Sequence, residues 1–223
     1  MNKKVTIWDV FAVIIALIPL MYLYCIYDKL PAIVPTHYGA DGKPNNFGPR
    51  SEMYTIGGIL SGMSILLYLL MKYLPAIDPK KQVKFGERTF QKLGMGITIF
   101  FAAINLCIIL AAANKGLSID KALIAILGLL FVFLGNIMYN IKPNYFAGVR
   151  TPWTLEDEGT WRATHRLTGK LWVTGGIIVT LERLLIPSTT GVHIFFACII
   201  IMSLTPVIYS YVYFKKHHAK KNI

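Results

Sequence analysis

The sequence predicts an all-α, polytopic membrane protein with about six transmembrane helices and both termini in the cytoplasm. Three observations carry that prediction. Of 223 residues, 55% are hydrophobic and 15% charged, well below the roughly 25% charged of soluble domains. The apolar residues gather in runs of about 20, the length at which a helix crosses a hydrocarbon core of roughly 30 Å. With the N terminus inside, 17 of the 23 Lys and Arg residues fall on the inner segments, as the positive-inside rule requires.

The runs follow one another along a single membrane domain spanning residues 1–223. The first hairpin occupies 7–74, from a span at about Ile7–Tyr27 to one at about Met53–Leu74, joined by an outer loop over 28–52. Lys3 and Lys4 precede the first run, but no small-x-small cleavage site follows it, so it reads as a retained helix. The second hairpin covers 90–141, with spans at Phe90–Ala113 and Ala122–Ile141. A cytoplasmic segment follows over 142–170, and the third hairpin covers 171–214, with spans at about Leu171–Ile186 and Val192–Phe214. The basic tail KKHHAKKN leaves no room for another domain. Helices are favoured because hydrocarbon cannot satisfy open backbone groups. Cys25, Cys107 and Cys198 lie inside spans without CxxC spacing and read as packing residues.

Two connections are longer than hairpins need. In the outer loop, Pro31, Pro35, Pro44 and Pro49 prevent helix propagation and ADGKPN, with Gly42, is turn chemistry. The loop is therefore expected to be shaped. It sets His37 and Tyr38 between Pro35 and the turn, either as a ligand-facing site or as a turn resting on the membrane through Tyr38 and Phe47. The ligand-facing reading includes one arm of a metal site, but one histidine without HxxxH, HExxH or CxxC company is weak evidence for a metal, since zinc takes three or four protein ligands.

The inner segment contains GVRTPWTLEDEGTWRATHRLTGK. Thr151 offers an N-cap hydroxyl and Pro152 suits the first helical position. Thr154 is a second possible cap, and either register puts Glu156, Asp157 and Glu158 in the first turn, where the helix dipole favours acids. No proline then interrupts until Pro187, so one helix is expected to run into the fifth span. Trp161, His165, Thr168 and Trp172 share a face, beside a basic row of Arg162, Arg166 and Lys170. Tryptophans beside cations predict interfacial anchoring. Anchoring explains Arg150, Thr151 and Pro152 less well; a capping network with Arg150 reaching an acid would account for much of that order.

This string resembles the signature of the SdpI-like family of bacterial membrane proteins, N-x-x-x-G-x-R-T-P-W-T-L followed by W-x-x-T-H-R-x-x-G. Asn144, Gly148, Arg150, Thr151, Pro152, Trp153, Thr154, Leu155, Trp161, Thr164, His165, Arg166 and Gly169 occupy the matching positions. The outer loop resembles a small domain of unknown function that commonly precedes this signature, through Pro35, His37 and Gly42. The resemblance implies an immunity protein, since the family's namesake protects its producer from a secreted antimicrobial peptide toxin. It also implies signalling, because the namesake holds a transcriptional repressor at the membrane when toxin is present. Expected partners are therefore the lipid bilayer, a secreted peptide toxin outside and a cytoplasmic repressor inside, the last on the signature residues and the basic 78–92 segment. Gly57, Gly58, Gly62, Gly175 and Gly176 would allow the close helix contacts that a shift in packing needs.

A small-molecule or peptide transporter, or an exporter component, is the main rival. Its candidate ionisable groups, Asp9, Glu182 and Arg183, lie near helix ends, where snorkelling suffices. An enzyme is disfavoured because His37 and His165 fall on opposite sides of the expected topology, and no activated nucleophile or metal-ligand spacing appears. No cofactor is implied. The cations, spread over four inner segments, suit anionic lipid and not direct nucleic acid binding.

Overall fold

The computed structural model describes residues 4–39, 43–77, 87–113, 118–144, 146–185 and 188–219. Gly42 and residues 78–86 of the expected basic segment lie outside the described residues. In chain order the elements are α1 (Ile7–Ile26), a 3-10 turn (Tyr27–Lys29), β1 (Ile33–Tyr38), β2 (Pro44–Pro49), α2 (Glu52–Ile77), α3 (Glu87–Ala113), α4 (Ile119–Met138), α5 (Pro152–Glu156), α6 (Glu158–Leu185) and α7 (Ser188–Ala219). Among the described residues five helices, α1, α2, α3, α4 and α7, are long and apolar enough to cross a membrane. Large apolar side chains point outward from them: Phe196, Ile200, Leu204 and Ile208 form an exposed stripe at four-residue spacing along α7. Apolar residues turned outward on such helices suit a lipid surround, and the protein is a multi-pass membrane protein. The expected fifth span, inside α6, is not among the five; the helix has 28 residues, but Lys170, Glu182, Arg183 and its Thr and Gly residues lower its apolarity.

The chain divides into two compact units. The first holds residues 1–72 and 91–126, the second 73–90 and 127–223.

In the first unit the expected shaped loop is an antiparallel β-hairpin, so the fold is helical with one two-stranded ribbon. Gly39 N–H donates to Lys43 C=O at 2.8 Å at the base of the turn. The prolines conceal the strands in the sequence; Pro35, Pro44 and Pro49 are compatible with a ribbon because each of its strands is an edge. Val34 of β1 is buried with Leu23, Leu30, Met53, Ile109 and Ala112. Tyr38, half-buried, packs beside Cys107, Ala111 and Ile119, whereas Phe47 is exposed.

In the second unit α4 and α6 run antiparallel with their backbones touching. A Cβ on Gly135 would lie 2.9 Å from the Gly169 carbonyl, and one on Gly128 would lie 2.8 Å from the Gly176 carbonyl. Both pairs are seven residues apart on their helices, which keeps them on one face. Of the expected glycine contacts, Gly57, Gly175 and Gly176 make them, whereas a Cβ on Gly58 or Gly62 would meet nothing within 4 Å among the described residues. In α7, Pro206 has no N–H for the carbonyl of Met202. That carbonyl instead accepts from Trp172 Nε1 at 3.0 Å.

Candidate functional site

The signature segment folds as a closed hydrogen-bonded knot on α6 and α7, beginning at Asn144. Its Oδ1 accepts from the amides of Phe146 (2.8 Å) and Ala147 (2.7 Å), and its Nδ2 donates to the carbonyls of Lys142 (2.9 Å) and Ala147 (3.0 Å). A side chain able to donate and accept twice each thus shapes the whole turn leaving α4. Gly148 follows with φ of +117°, a region that only glycine enters at little cost.

Gly148 also has no room for a side chain, because a Cβ would overlap Nε2 of His165. That nitrogen accepts from Val149 N–H at 2.9 Å. The other, Nδ1, lies 2.8 Å from the carbonyl of Trp161 and must donate to it. The two bonds fix the neutral Nδ1–H tautomer, because a second ring proton would face the Val149 N–H. Burial acts the same way, pushing the imidazole below its ordinary value against a smaller upward effect of the Trp161 bond. His165 stacks on the Trp161 ring at 4.0 Å between centroids. It is a structural clamp between loop and helix.

Trp161 is fully buried among Met138 and Ile141, and its Nε1 donates to Ile141 C=O at 2.9 Å. The expected headgroup anchor is thus a core residue, because the loop from α4 folds back over it. Trp172 is likewise held inward, edge-on to Phe131 at 5.5 Å.

The expected single helix is broken in two. Thr151 caps α5 as anticipated, with its amide donating to Thr154 Oγ1 at 2.9 Å and its hydroxyl accepting from Thr154 N at 3.3 Å. The helix then stops at Asp157, whose Oδ2 accepts from Thr160 N at 2.6 Å and Thr160 Oγ1 at 2.7 Å. Asp157 is therefore the N-cap of α6. The three acids divide accordingly: Glu156 ends α5, Asp157 caps, and Glu158 opens α6 and pairs with Arg162 at 3.6 Å.

The short α5 is fixed to α7 by Ser210, which the sequence reading missed. Its Oγ lies 3.3 Å from Thr151 Oγ1, receives Trp153 Nε1 and donates to Val207 C=O at 2.6 Å. Trp153 also meets Tyr211 at 5.2 Å between ring centroids. A serine inside an apolar run gives no period or motif signal, so only the fold exposes its role.

The candidate residues thus fall into three sets. Asn144, Thr151, Thr154, Trp161, Thr164, His165 and Gly169 are buried, Gly148 and Trp153 are half-buried, and Arg150, Pro152, Leu155, Arg162, Arg166 and Lys170 are exposed. Glu182 and Arg183, expected to snorkel, are 5% and 1% exposed. They turn onto Gly191 at the start of α7, with Arg183 Nη1 4.0 Å from Glu182 Oε1. The absence of a side chain on Gly191 opens that inward space.

In the hairpin, His37 is exposed and its Nδ1 lies 2.5 Å from Asn45 Oδ1, bridging β1 to β2. Pro35 and Tyr38 are half-buried and Pro44 is exposed. Arg50, after β2, donates to Tyr27 C=O at 3.2 Å and covers the Tyr27 ring at 4.6 Å.

Residues 140–210 match the family model described as the SdpI/YfhL protein family, and residues 14–60 match a domain of unknown function, DUF1648. The chain is 26% identical over 211 residues to a Bacillus subtilis (strain 168) protein described as immunity protein SdpI, covering 93% of this chain and 96% of that one. It is also 37% identical over 57 residues to an uncharacterized protein of Archaeoglobus fulgidus, covering 25% of this chain and 31% of that one. No solved structure matches.

Proposed function

We propose, from the match of residues 140–210 to the SdpI/YfhL family model and the similarity to an immunity protein along the chain, that it is a membrane immunity protein protecting its cell from a secreted antimicrobial peptide toxin. The observation that carries this reading is the similarity to an immunity protein along 93% of the chain. The signature supports it with a folded network and not merely a string of matching letters.

The reading assigns no catalytic step. It takes α6 as a sixth span, through its less polar second half, and both termini as cytoplasmic, following the charge asymmetry. The hairpin with Pro35, His37, Tyr38 and Pro44 then faces the toxin. Signalling to a cytoplasmic repressor falls, in this reading, to the exposed rim of Arg150, Pro152, Leu155, Arg162 and Arg166, because the buried members of the signature, among them Asn144, Trp161 and His165, are turned inward.

The test is survival of a sensitive bacterium expressing the chain, challenged with the peptide toxin of the family's namesake and compared with an empty-vector strain. Protection supports the reading. Loss of viability equal to the vector control, with the protein present in the membrane, overturns protection against that toxin.

A further inference from the structure

The α1–α2–α3 packing of the first unit contains polar groups that the signature and the hairpin do not use. On α2, Gly57, Ser61, Ser64, Tyr68 and Lys72 recur every three or four residues and so lie on one face. Ser61 Oγ donates to Ala16 C=O of α1 at 2.7 Å. Asn105 of α3 donates from Nδ2 to Gly57 C=O at 3.1 Å and Ser61 Oγ at 3.2 Å. At the far end, Asp9 of α1 receives Tyr68 OH at 2.9 Å and Lys72 Nζ at 2.7 Å.

Two atoms in this row are unsatisfied. Asn105 Oδ1 and Ser64 Oγ have no hydrogen-bond partner among the described residues, and their residues are each 1% exposed. A buried polar atom without a partner is costly, and in hydrocarbon no lipid tail can supply one. One is an acceptor and the other a hydroxyl, one helical turn from Ser61, which Asn105 already touches. Water, which donates and accepts twice, satisfies both kinds of group.

The ends of the row differ. Beyond Asn105 and Gly57 stand Leu23, Met53 and Ile109, closed in by Val34 of the ribbon. At the other end the Asp9 and Lys72 side chains keep 14% exposure each. From Ser61 to Lys72 is a rise of about 16 Å along a helix, roughly half a bilayer core.

We propose that the first unit binds water in an internal half-channel, entered at Asp9 and Lys72, running past Tyr68 and Ser64 to Asn105 and closed beyond it by the Leu23–Met53–Ile109 cluster. The inference is independent of the immunity reading. It gives the transporter-like feature that ionisable side chains did not, a polar row without a midplane charge.

The test is thiol accessibility in a variant with Cys25, Cys107 and Cys198 replaced and Ser64→Cys introduced. A small hydrophilic thiol reagent in proteoliposomes reacts with the introduced thiol at least tenfold faster than with that of a Leu66→Cys control on the lipid-facing side, and only when supplied at the Asp9–Lys72 face. No reaction, or reaction only from the opposite face, overturns the half-channel and leaves a dry polar seam. Because these replacements can prevent folding, hydroxyl-radical footprinting of the unaltered chain gives a second reading. Internal water leads to oxidation of Tyr68 and Met71, which face Gly94 of α3, although Tyr68 is 2% exposed. Protection of both residues overturns the proposal.

Discussion

Gly148 lies against Nε2 of His165, close enough that a methyl group on residue 148 would overlap the imidazole. The same nitrogen accepts the Val149 amide, so a glycine in a left-handed conformation and a neutral histidine are two halves of one contact. Replacing Gly148 by Ala combines backbone strain at positive φ, about 1–3 kcal/mol, with displacement of the ring. The expected outcome is a lower melting temperature in detergent and less protein in the membrane. A G148A protein with unchanged melting would show that the loop does not depend on this contact.

His165 also gives a pH dependence with a definite sign. Burial holds its folded-state value below that of an unfolded chain, whose histidine titrates near 6.5. Above about that pH both states are neutral and stability is unaffected. Below it the unfolded chain takes the proton first, so stability falls as pH drops toward the folded value. Melting followed from about pH 7.5 to 5 is expected to decline with acid. A His165→Phe variant keeps a ring over Trp161 and cannot titrate, so its curve is expected to be flatter. Equal slopes would remove His165 as the cause.

Asn144 makes four hydrogen bonds to the turn after α4. Asn144→Ala leaves buried carbonyls and amides to find other partners, at about 1–3 kcal/mol for groups left unpaired. Asn144→Asp keeps the acceptors and loses the two donors. The expected order of melting temperatures is wild type, then Asp, then Ala. If Asp melts below Ala, the cost of burying a charge exceeds the retained acceptor bonds.

The α4–α6 crossing predicts a size limit. Gly135 and Gly176 place backbone against backbone, so Gly135→Leu or Gly176→Leu must separate the helices. Overpacking in well-packed cores costs about 1–3 kcal/mol, and backbone contact leaves less room to relax than side-chain contact. Gly62→Leu, at a position where a Cβ meets no neighbour among the described residues, is the control. Equal melting of G62L and G176L would contradict the close crossing.

The helices were legible because a span must be both long and apolar, two properties a linear sequence displays. Thr151 and Pro152 were legible as a cap for the same reason: capping is local. What the sequence hid depends on distant residues. Asp157 reads as a first-turn acid of one long helix; it is a cap because α5 ends at Glu156 and a second helix starts after it. Trp161 beside Arg162 has the composition of an interfacial anchor; it is a core residue because the loop after Asn144 returns over it. Glu182 and Arg183 near a helix end suggest snorkelling, and the bare backbone at Gly191 gives them an inward alternative. Pro35, Pro44 and Pro49 argue against strands in general but not against the edges of a two-stranded ribbon.

The division of the signature into buried and exposed residues separates fold from function in one experiment. Arg162 and Arg166 lie on the exposed face of α6, one turn apart, and the Arg162–Glu158 pair is solvent-exposed on both sides. Surface pairs of this kind contribute little to stability, at most about 1 kcal/mol. Changing both arginines to Ala is therefore expected to leave melting and membrane level close to wild type. If the exposed rim contacts a cytoplasmic partner, the double variant loses toxin-dependent induction of a reporter while still protecting the cell in the survival assay. Loss of protection and induction together, at normal protein level, would place the arginines in the protective step itself. A variant that keeps both would assign the basic row to lipid headgroups, and the partner would have to be sought on Arg150, Pro152 and Leu155.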